Sequence, residues 1–371
     1  MRPPRTVVDM APRPPNLPAR RPGRRRRGVI DWDLAVATGQ SLVRPGPVVS
    51  ADEATDAVMG LRASAELSRS VVSAYTGLHA DPSRTPVLVV DRPSWVRAAA
   101  EGFQVLAEPL EERLAKAKGM TPWARAVGSR VTGLEVGGLL AFMSGKVLGQ
   151  FDPFAAAGGR LLLVAPNIVQ AERELDAVPG DFRTWVCLHE ETHRLQFGAV
   201  PWLGAHLRAQ VSELAETTDL ELADVTRVVD QGLTLLGRII RGDSEASLLD
   251  LVQSPAQKEV VERITAVMSL LEGHADVVMD GVGPQVVPSV DTLRKRFTQR
   301  RRGAGPVDKL VRRLLGLDAK MRQYRDGAAF CRGVVDRVGS DGFHAVWAAP
   351  DNLPRPDEIA DPARWCDRVV A

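Results

Sequence analysis

The chain has 371 residues, of which 44% are hydrophobic and 25% are charged, and its formal net charge at pH 7 is +2. These values are typical of a globular protein that is long enough for one large or two modest domains. Nine arginines lie within the first 28 residues, so the rest of the chain is mildly acidic, which argues against a general or specific nucleic-acid binder.

Residues 1–28 are rich in proline and arginine and have no hydrophobic periodicity, so we expect a disordered basic arm. A solvated tail is favoured over weak electrostatic attachment to nucleic acid or to an anionic membrane. The arm lacks the apolar stretch of a secretory signal, and the most apolar later window, 131–148, is interrupted by charged residues and glycines. We therefore expect no transmembrane segment.

The three cysteines are far apart and form no Cys-x-x-Cys pair, which argues against a disulfide framework. Together with the missing signal, this favours a cytoplasmic protein. We expect residues 29–371 to form a single domain, with a helical N-terminal part at 29–150 and a second part at 151–340 that contains the chemistry-bearing residues.

Apolar residues at helical spacing, with proline and glycine between the runs, predict a mainly helical N-terminal part. The predicted helices lie at 34–42, 51–77, 93–114 and 122–148, and a short extended segment lies at 86–90. This part contains one histidine, His79, and no cluster of chemistry-bearing residues, so we interpret it as scaffold. The apolar run Leu161–Val164, between glycines and Pro166, predicts a strand.

Residues 181–198 predict one helix, which contains the motif His-Glu-x-x-His. Pro179-Gly180 breaks the chain before this helix. Asp181 can cap its first turn, and Gly198 can adopt the left-handed conformation that ends it.

The two histidines of the motif, His189 and His193, are four residues apart and so lie on one helix face, where their nitrogens can hold one zinc ion. Glu190 lies beside that face, where its carboxylate can reach a metal-bound water as a general base without being a ligand. Glu191 lies on the far side and is interpreted as a solvated or capping carboxylate. The alternative is a buried helix whose histidines only form hydrogen bonds.

Helical periodicity continues after the motif, at 201–220, 224–240 and 255–280. In the last of these helices, Glu272 completes a His-His-Glu site with water in the fourth position, the arrangement of a catalytic zinc. Asp276, one turn on, can accept the free N–H of a ligating histidine. His274 is a rival third ligand, and His206 is not excluded. Without the upstream motif, a surface carboxylate pair would be the favoured interpretation.

The region 284–307 contains prolines and two basic runs and is interpreted as a solvated linker or loop. Helical periodicity resumes at 309–335, where Tyr324 is one of only two tyrosines in the chain. Its phenol could stabilise an oxyanion opposite the metal, but half-buried tyrosines on amphipathic helices are common.

The segments His-Glu-Glu-Thr-His-Arg-Leu-Gln-Phe at 189–197 and Leu-Leu-Glu-Gly-His-Ala-Asp-Val-Val-Met-Asp at 270–280 resemble an actinobacterial family of zincin-like metallohydrolases. Its members are labelled zinc-dependent metalloproteases, or hydrolases associated with deazaflavin-coenzyme biosynthesis. The resemblance implies a mainly α (α+β) zincin-like fold with a small sheet beside the motif helix. It also implies that His189, His193 and Glu272 are zinc ligands and that Glu190 is the base. The Glu272–Asp276 pair resembles the Glu-x-x-x-Asp arrangement of the gluzincin branch.

The sequence thus predicts a metallopeptidase, or another amide hydrolase, that uses one Zn²⁺ per chain and a metal-activated water. Its partner would be a peptide or a small amide substrate. A peptide would bind by adding a strand to a sheet edge, for which Leu161–Val164 is the candidate, with an ordinary core strand as the alternative. The competing hypothesis is a non-catalytic zincin-fold protein that binds zinc and a partner.

Overall fold

A computed structural model of the chain describes residues 28–116, 122–155, 158–217, 254–302 and 317–370. Side chains are described for the same residues except at 115–116, 122–125, 297–302 and 317–325. The predicted basic arm, apart from Gly28, and the predicted helix at 224–240 lie outside the described residues.

Helices make up most of the described chain, as predicted, and three short strands lie among them. The helices are α1 (Trp32–Leu42), α2 (Ala51–Thr76), α3 (Arg92–Lys116), α4 (Pro122–Ser144), α5 (Ala165–Glu174), α6 (Pro179–Ala199), α7 (Leu203–Glu216), α8 (Pro255–Val286), α9 (Val290–Arg302), α10 (Leu317–Phe343) and α11 (Pro362–Val369). The strands are β1 (Val87–Val90), β2 (Gly149–Asp152) and β3 (Arg160–Val164). None of the described helices is both long and apolar enough to cross a bilayer.

The three strands form one mixed sheet in the order β1-β3-β2. Strand β1 runs parallel to β3, with Val87 opposite Leu161, and β2 runs antiparallel to β3, with Gly149 opposite Leu163. The candidate sheet edge, Leu161–Val164, is therefore wrong, because β3 is the central strand. The alternative, an ordinary core strand, is confirmed: every residue of β3 is buried, as expected for an apolar run covered on both faces.

The sheet separates two hydrophobic cores, because alternate side chains of β3 face opposite sides. Leu163 packs into the larger core, together with side chains of α2, α5, α6, α8 and α10. Leu162 and Val164 pack into a smaller core with α1, α3 and α4, around Trp95 and Leu140. The motif helix α6 thus lies on one side of the sheet with α2, and the other three predicted scaffold helices, α1, α3 and α4, lie on the opposite side. All three cysteines are free and buried.

Helices α8 and α10 approach each other closely at Gly273 and Gly327. A Cβ atom on Gly273 would overlap the backbone of Gly327, and one on Gly327 would overlap the backbone carbonyl of Ser269. Only glycine fits at both positions. This contact brings α10 alongside the turn of α8 that carries Glu272.

Helix α6 begins at Pro179, and its ends differ from the prediction. Asp181, the predicted cap, lies in the first turn and accepts hydrogen bonds from Ser289, 2.8 Å from its N–H nitrogen and 2.5 Å from its Oγ. Gly198 lies inside the last turn of the helix. A Cβ atom there would lie 2.5 Å from the Cβ of Ala80, so glycine permits close packing instead of a left-handed turn.

The region 284–307, predicted to be a linker, is helical over much of its described length, because α8 runs into it and α9 lies within it. Val290 and Leu293 of α9 are buried in the larger core. Arg294, from one of the basic runs, pairs with Asp280 of α8. The many basic residues of this region make it look solvated in the sequence, although some of its apolar side chains belong to the core.

Candidate metal centre

Three side chains from two helices converge on one point: His189 and His193 of α6 and Glu272 of α8. The Nε2 atoms of the two histidines are 3.2 Å apart. The Oε2 atom of Glu272 lies 3.5 Å from Nε2 of His189 and 3.6 Å from Nε2 of His193. The His193 and Glu272 side chains are mostly buried, whereas the His189 side chain is 31% exposed, so the site opens to solvent beside His189.

The triangle of donor atoms fits a tetrahedral cation. Zinc bonds to imidazole nitrogen and carboxylate oxygen are about 2.0–2.2 Å long, so two ligands of a tetrahedral zinc lie roughly 3.3–3.6 Å apart. The separations of 3.5 and 3.6 Å lie within this range, and the separation of 3.2 Å lies just below it. Each of the three atoms is of a type that binds a cation through a lone pair, and the convergence of such atoms is what a metal site requires.

Glu190 is buried beside the triangle, between α6 and strand β2. A Cβ atom on Gly149 would lie 2.5 Å from the Cγ of Glu190, so the glycine leaves room for this side chain. The backbone N–H of Phe151 donates a hydrogen bond to the Glu190 carboxylate. Strand β2 therefore fixes the carboxylate that the motif assigns to the general base.

Strand β2 is also an edge strand of the sheet that the described residues form, and its outer side faces Glu190. The Val164 N–H donates to the Leu148 carbonyl at 2.8 Å, and in an antiparallel pair only alternate residues bond to the partner strand. The N–H and C=O groups of Gly149 and Phe151 therefore point away from β3. The edge strand beside the site is thus β2. The predicted boundary between the parts at 29–150 and 151–340 falls within this strand.

The electrostatics of the site follow from burial and from its crowded carboxylates. Burial raises the pKa of Glu190 to about 7, an effect that His193 opposes and Glu272 reinforces. Burial alone would lower the pKa of His193, but the carboxylates of Glu272 and Glu190 raise it to about 9. The negative charge that favours a proton on His193 also favours a divalent cation, which displaces that proton on binding.

The outer nitrogen of His193, Nδ1, contacts Gln196, a residue with no predicted role. Nδ1 of His193 lies 2.9 Å from Oε1 of Gln196, which is fully buried. Asp276, predicted to accept such a bond from a ligating histidine, is exposed on α8, and its role stays a prediction. Gln196 lies three residues after His193 and so shares its helix face, a spacing that could have indicated it.

The two alternative third ligands lie in other environments. His274 is buried with its ring stacked on Phe343, 5.4 Å between centroids, and its Nδ1 lies 3.0 Å from Nε2 of Gln196. Burial lowers the pKa of His274 to about 3, so the ring is neutral. His206 lies on α7, outside the converging group. The geometry therefore favours Glu272 over His274 and His206 as the third ligand.

Tyr324, the candidate oxyanion stabiliser, lies in α10. It precedes by one turn Gly327, where α10 touches the backbone of α8 near Glu272. Its side chain is outside the described residues, so its role stays a prediction.

The opposite face of α6 is buried, which corrects the interpretation of Glu191 as a solvated or capping carboxylate. The side chain has no exposed surface, and its Oε2 pairs with Nε of Arg194 at 2.6 Å. Arg194 also donates to the carbonyl of Thr85 at 2.9 Å. Burial raises the pKa of Glu191 and the Arg194 charge opposes this. The helical angle gave the direction of the side chain but not what covers it.

A cavity of about 620 Å³ lies beyond the C-terminal end of α6, between α7 and the loops before β1 and after β2. Arg84, Phe197 and Arg208 are among its lining residues, whereas the three converging side chains are not. Phe197 also stacks on Phe151 of β2, with ring centroids 5.5 Å apart. The cavity therefore adjoins the end of the edge strand and not the donor triangle itself.

A mainly helical fold whose His-Glu-x-x-His helix lies against a small sheet, with a carboxylate supplied by a later helix, is that of the zincin-like metallohydrolases. The chain belongs to the zincin-like metallopeptidase family, whose sequence model matches residues 30–366. The predicted resemblance is confirmed at the level of this family and its fold.

The chain is also similar to a proposed hydrolase with a novel fold from Chloroflexus aurantiacus, known from a crystal structure. The two share 31% sequence identity and superpose with a TM-score of 0.67, over 91% of this chain and 98% of the other. No protein of curated function matches the sequence.

Proposed function

We propose that the protein is a zinc-dependent metallopeptidase that uses one zinc ion per chain. The observation that carries this proposal is the triangle of His189, His193 and Glu272, with Glu190 buried beside it. Three protein ligands leave a fourth tetrahedral position for water or substrate, as in catalytic zinc sites, whereas structural sites normally have four protein ligands.

Zinc, when bound, supplies a Lewis acid that polarises the scissile carbonyl and lowers the pKa of water to roughly 7. His189, His193 and Glu272 are the residues that would hold the ion, since their Nε2 and Oε2 atoms converge. Glu190 takes a proton from the attacking water and returns it to the nitrogen of the leaving amine. The hydrogen bond from the Phe151 N–H keeps the Glu190 carboxylate in place for both transfers.

Two further residues complete the proposed site. Tyr324 stabilises the oxyanion that develops on the carbonyl, and the close contact of α10 with α8 near Glu272 supports this role. Asp276, one turn after Glu272, accepts a hydrogen bond from a ligating histidine and orients its ring.

The outer edge of β2 supports a peptide as the substrate. Gly149 directs its N–H and C=O groups away from β3, and Phe151 directs its C=O group the same way, while the Phe151 N–H is bonded to Glu190. An extended peptide can add a strand to such an edge, with its scissile bond placed beside the donor triangle. A small amide needs no such edge, so its hydrolysis is the second possibility within the same chemistry.

Glu190→Gln tests the proposal when zinc content and turnover of a fluorogenic peptide library are measured on the same samples. We expect one zinc per chain in both proteins and a loss of turnover of about 10²–10⁴-fold in the variant, because the proton transfer is lost while the ligands remain. Thr192→Val is a matched control, since Thr192 is equally buried on α6 and bonds only its own helix, to the Leu188 carbonyl at 2.8 Å. It should leave zinc content and turnover unchanged.

Equal turnover by wild type and Glu190→Gln would remove Glu190 from the mechanism. Zinc binding without turnover of peptides or small amides would favour the non-catalytic binding protein. Turnover of small amides alone would support the proposed mechanism but contradict a peptide as the substrate.

A further inference from the structure

Gln196 links a proposed zinc ligand to the helix that carries another. It is fully buried, and all three of its polar contacts are short. Its Oε1 lies 2.9 Å from Nδ1 of His193, and its Nε2 lies 2.9 Å from the carbonyl oxygen of Leu271 and 3.0 Å from Nδ1 of His274. Leu271 immediately precedes Glu272.

The carbonyl of Leu271 determines which way the Gln196 amide faces. A carbonyl oxygen can only accept, so the amide atom that faces it must be the NH₂ group. The amide oxygen then faces His193 and can only accept, so Nδ1 of His193 must carry the hydrogen. When the ring is neutral, as it must be to bind a metal, its lone pair is therefore on Nε2, the atom that points into the donor triangle.

His274 holds the amide in the same orientation. The second N–H of the Gln196 amide is directed to Nδ1 of His274, which must therefore be unprotonated. A flipped amide would place its oxygen against the Leu271 carbonyl, so two acceptors would face each other. The ring of His274 is fixed in turn by Phe343 and Trp347, with centroids 5.4 Å away in both cases.

We propose that Gln196 is a positioning residue that holds His193 in the Nδ1–H tautomer and so presents Nε2 to the metal. The inference rests on the zinc site proposed above. Histidine ligands generally donate their second N–H to an outer partner, and loss of that partner typically weakens metal affinity by about 10–100-fold. Here the partner is a neutral amide whose orientation is set by a backbone carbonyl and a second histidine.

The test compares zinc dissociation constants of the full-length wild type, Gln196→Met and Gln196→Glu, by competition with a chromophoric chelator. Gln196→Met has a similar length but offers His193 only a weak sulfur acceptor, so we expect zinc binding to weaken by about 10–100-fold. Gln196→Glu keeps an acceptor oxygen for His193 but loses both donors, so its affinity should stay within about threefold of wild type. Its metal-free melting temperature should fall, because one carboxylate oxygen would face two acceptors.

The two readouts separate positioning from general damage to the core. Equal losses of affinity in Gln196→Met and Gln196→Glu, or wild-type affinity in Gln196→Met, would overturn the role of Gln196. If Gln196→Met does not fold, Gln196→Glu decides alone: retained affinity supports the role and lost affinity overturns it. The control Thr192→Val should bind zinc as wild type does. Absence of zinc binding by the wild type itself would overturn the metal site and this role together.

Discussion

Helix α6 carries two sets of buried polar side chains, and they differ in what faces them. On one face, Glu191 and Arg194 pair at 2.6 Å, a carboxylate with a guanidinium, and each is almost fully buried. On the other face, His189 and His193 meet Glu272, and three atoms that can each bind a metal ion converge. The first set is complementary within the protein, whereas the second is complementary to a cation.

This difference indicates how structural and functional polar groups can be told apart. Burial does not separate the two sets, because Glu190 is nearly as buried as Glu191. The charge of the partner separates the two sets. Opposite charges stabilise one another in the interior, whereas converging metal-ligand atoms need a metal ion or a proton between them. Exposure of the His189 side chain, at 31%, gives that ion a route from solvent.

The largest expected effect comes from removing one partner of the buried Glu191–Arg194 pair. Arg194→Leu leaves Glu191 buried without its counter-charge, and removal of one partner of a buried pair typically costs about 3–5 kcal/mol. We expect the free energy of unfolding in urea to fall by that amount, while the folded fraction still binds zinc. In the double variant Glu191→Leu/Arg194→Leu most of the stability should return, because neither charge remains. A loss below 1 kcal/mol in Arg194→Leu would contradict the assignment.

Adding zinc should stabilise the protein through the other face of α6, which carries His189 and His193. A ligand that binds only the folded state at 100 times its dissociation constant stabilises that state by about 2.7 kcal/mol. Wild type should therefore melt at a higher temperature when zinc is added, and His193→Ala should not respond. Arg194→Leu should keep the response, since its defect lies on the opposite face. A zinc-dependent rise in His193→Ala would place the ion elsewhere.

The smallest expected effect concerns Gly149 and leaves the fold intact. Gly149→Ala places a methyl group 2.5 Å from Cγ of Glu190 and displaces the carboxylate. Misplacement of a catalytic group by about 1 Å can cost on the order of 10²-fold in rate, so turnover should drop by about 10–100-fold with zinc content unchanged. Gly180→Ala, on α6 itself, has open space around the added Cβ atom and serves as the control. Equal turnover in the two variants would mean that β2 does not restrain Glu190.

The sequence was sufficient where a local pattern determines the outcome. The central part of α6 followed from the spacing of the two histidines, and the convergence of Glu272 followed from the need for a third ligand on a nearby helix. These inferences required only helical geometry and the chemistry of zinc.

The remaining features depend on contacts between distant segments. An apolar run such as Leu161–Val164 suits an edge strand or a central strand, and only the pairing with β1 and β2 decides between them. Glu191 was assigned to solvent because the sequence does not show that Thr85 and its neighbours cover that face. Strand β2 has no distinctive pattern, since Gly-Gln-Phe-Asp is short and mixed, although its glycine accommodates Glu190.

The bond between Gln196 and Leu271 joins residues 75 positions apart, and this separation governs when the centre can form during synthesis. A ribosome adds about 5–20 residues per second, so roughly 4–15 s pass between the emergence of α6 and that of α8. Over that interval the nascent chain offers the two histidines and Gln196 without the Glu272 carboxylate and without the Leu271 carbonyl that orients the Gln196 amide. The complete set of ligands exists only after α8 has left the ribosome, so full-affinity metal loading is tied to a late step of chain synthesis.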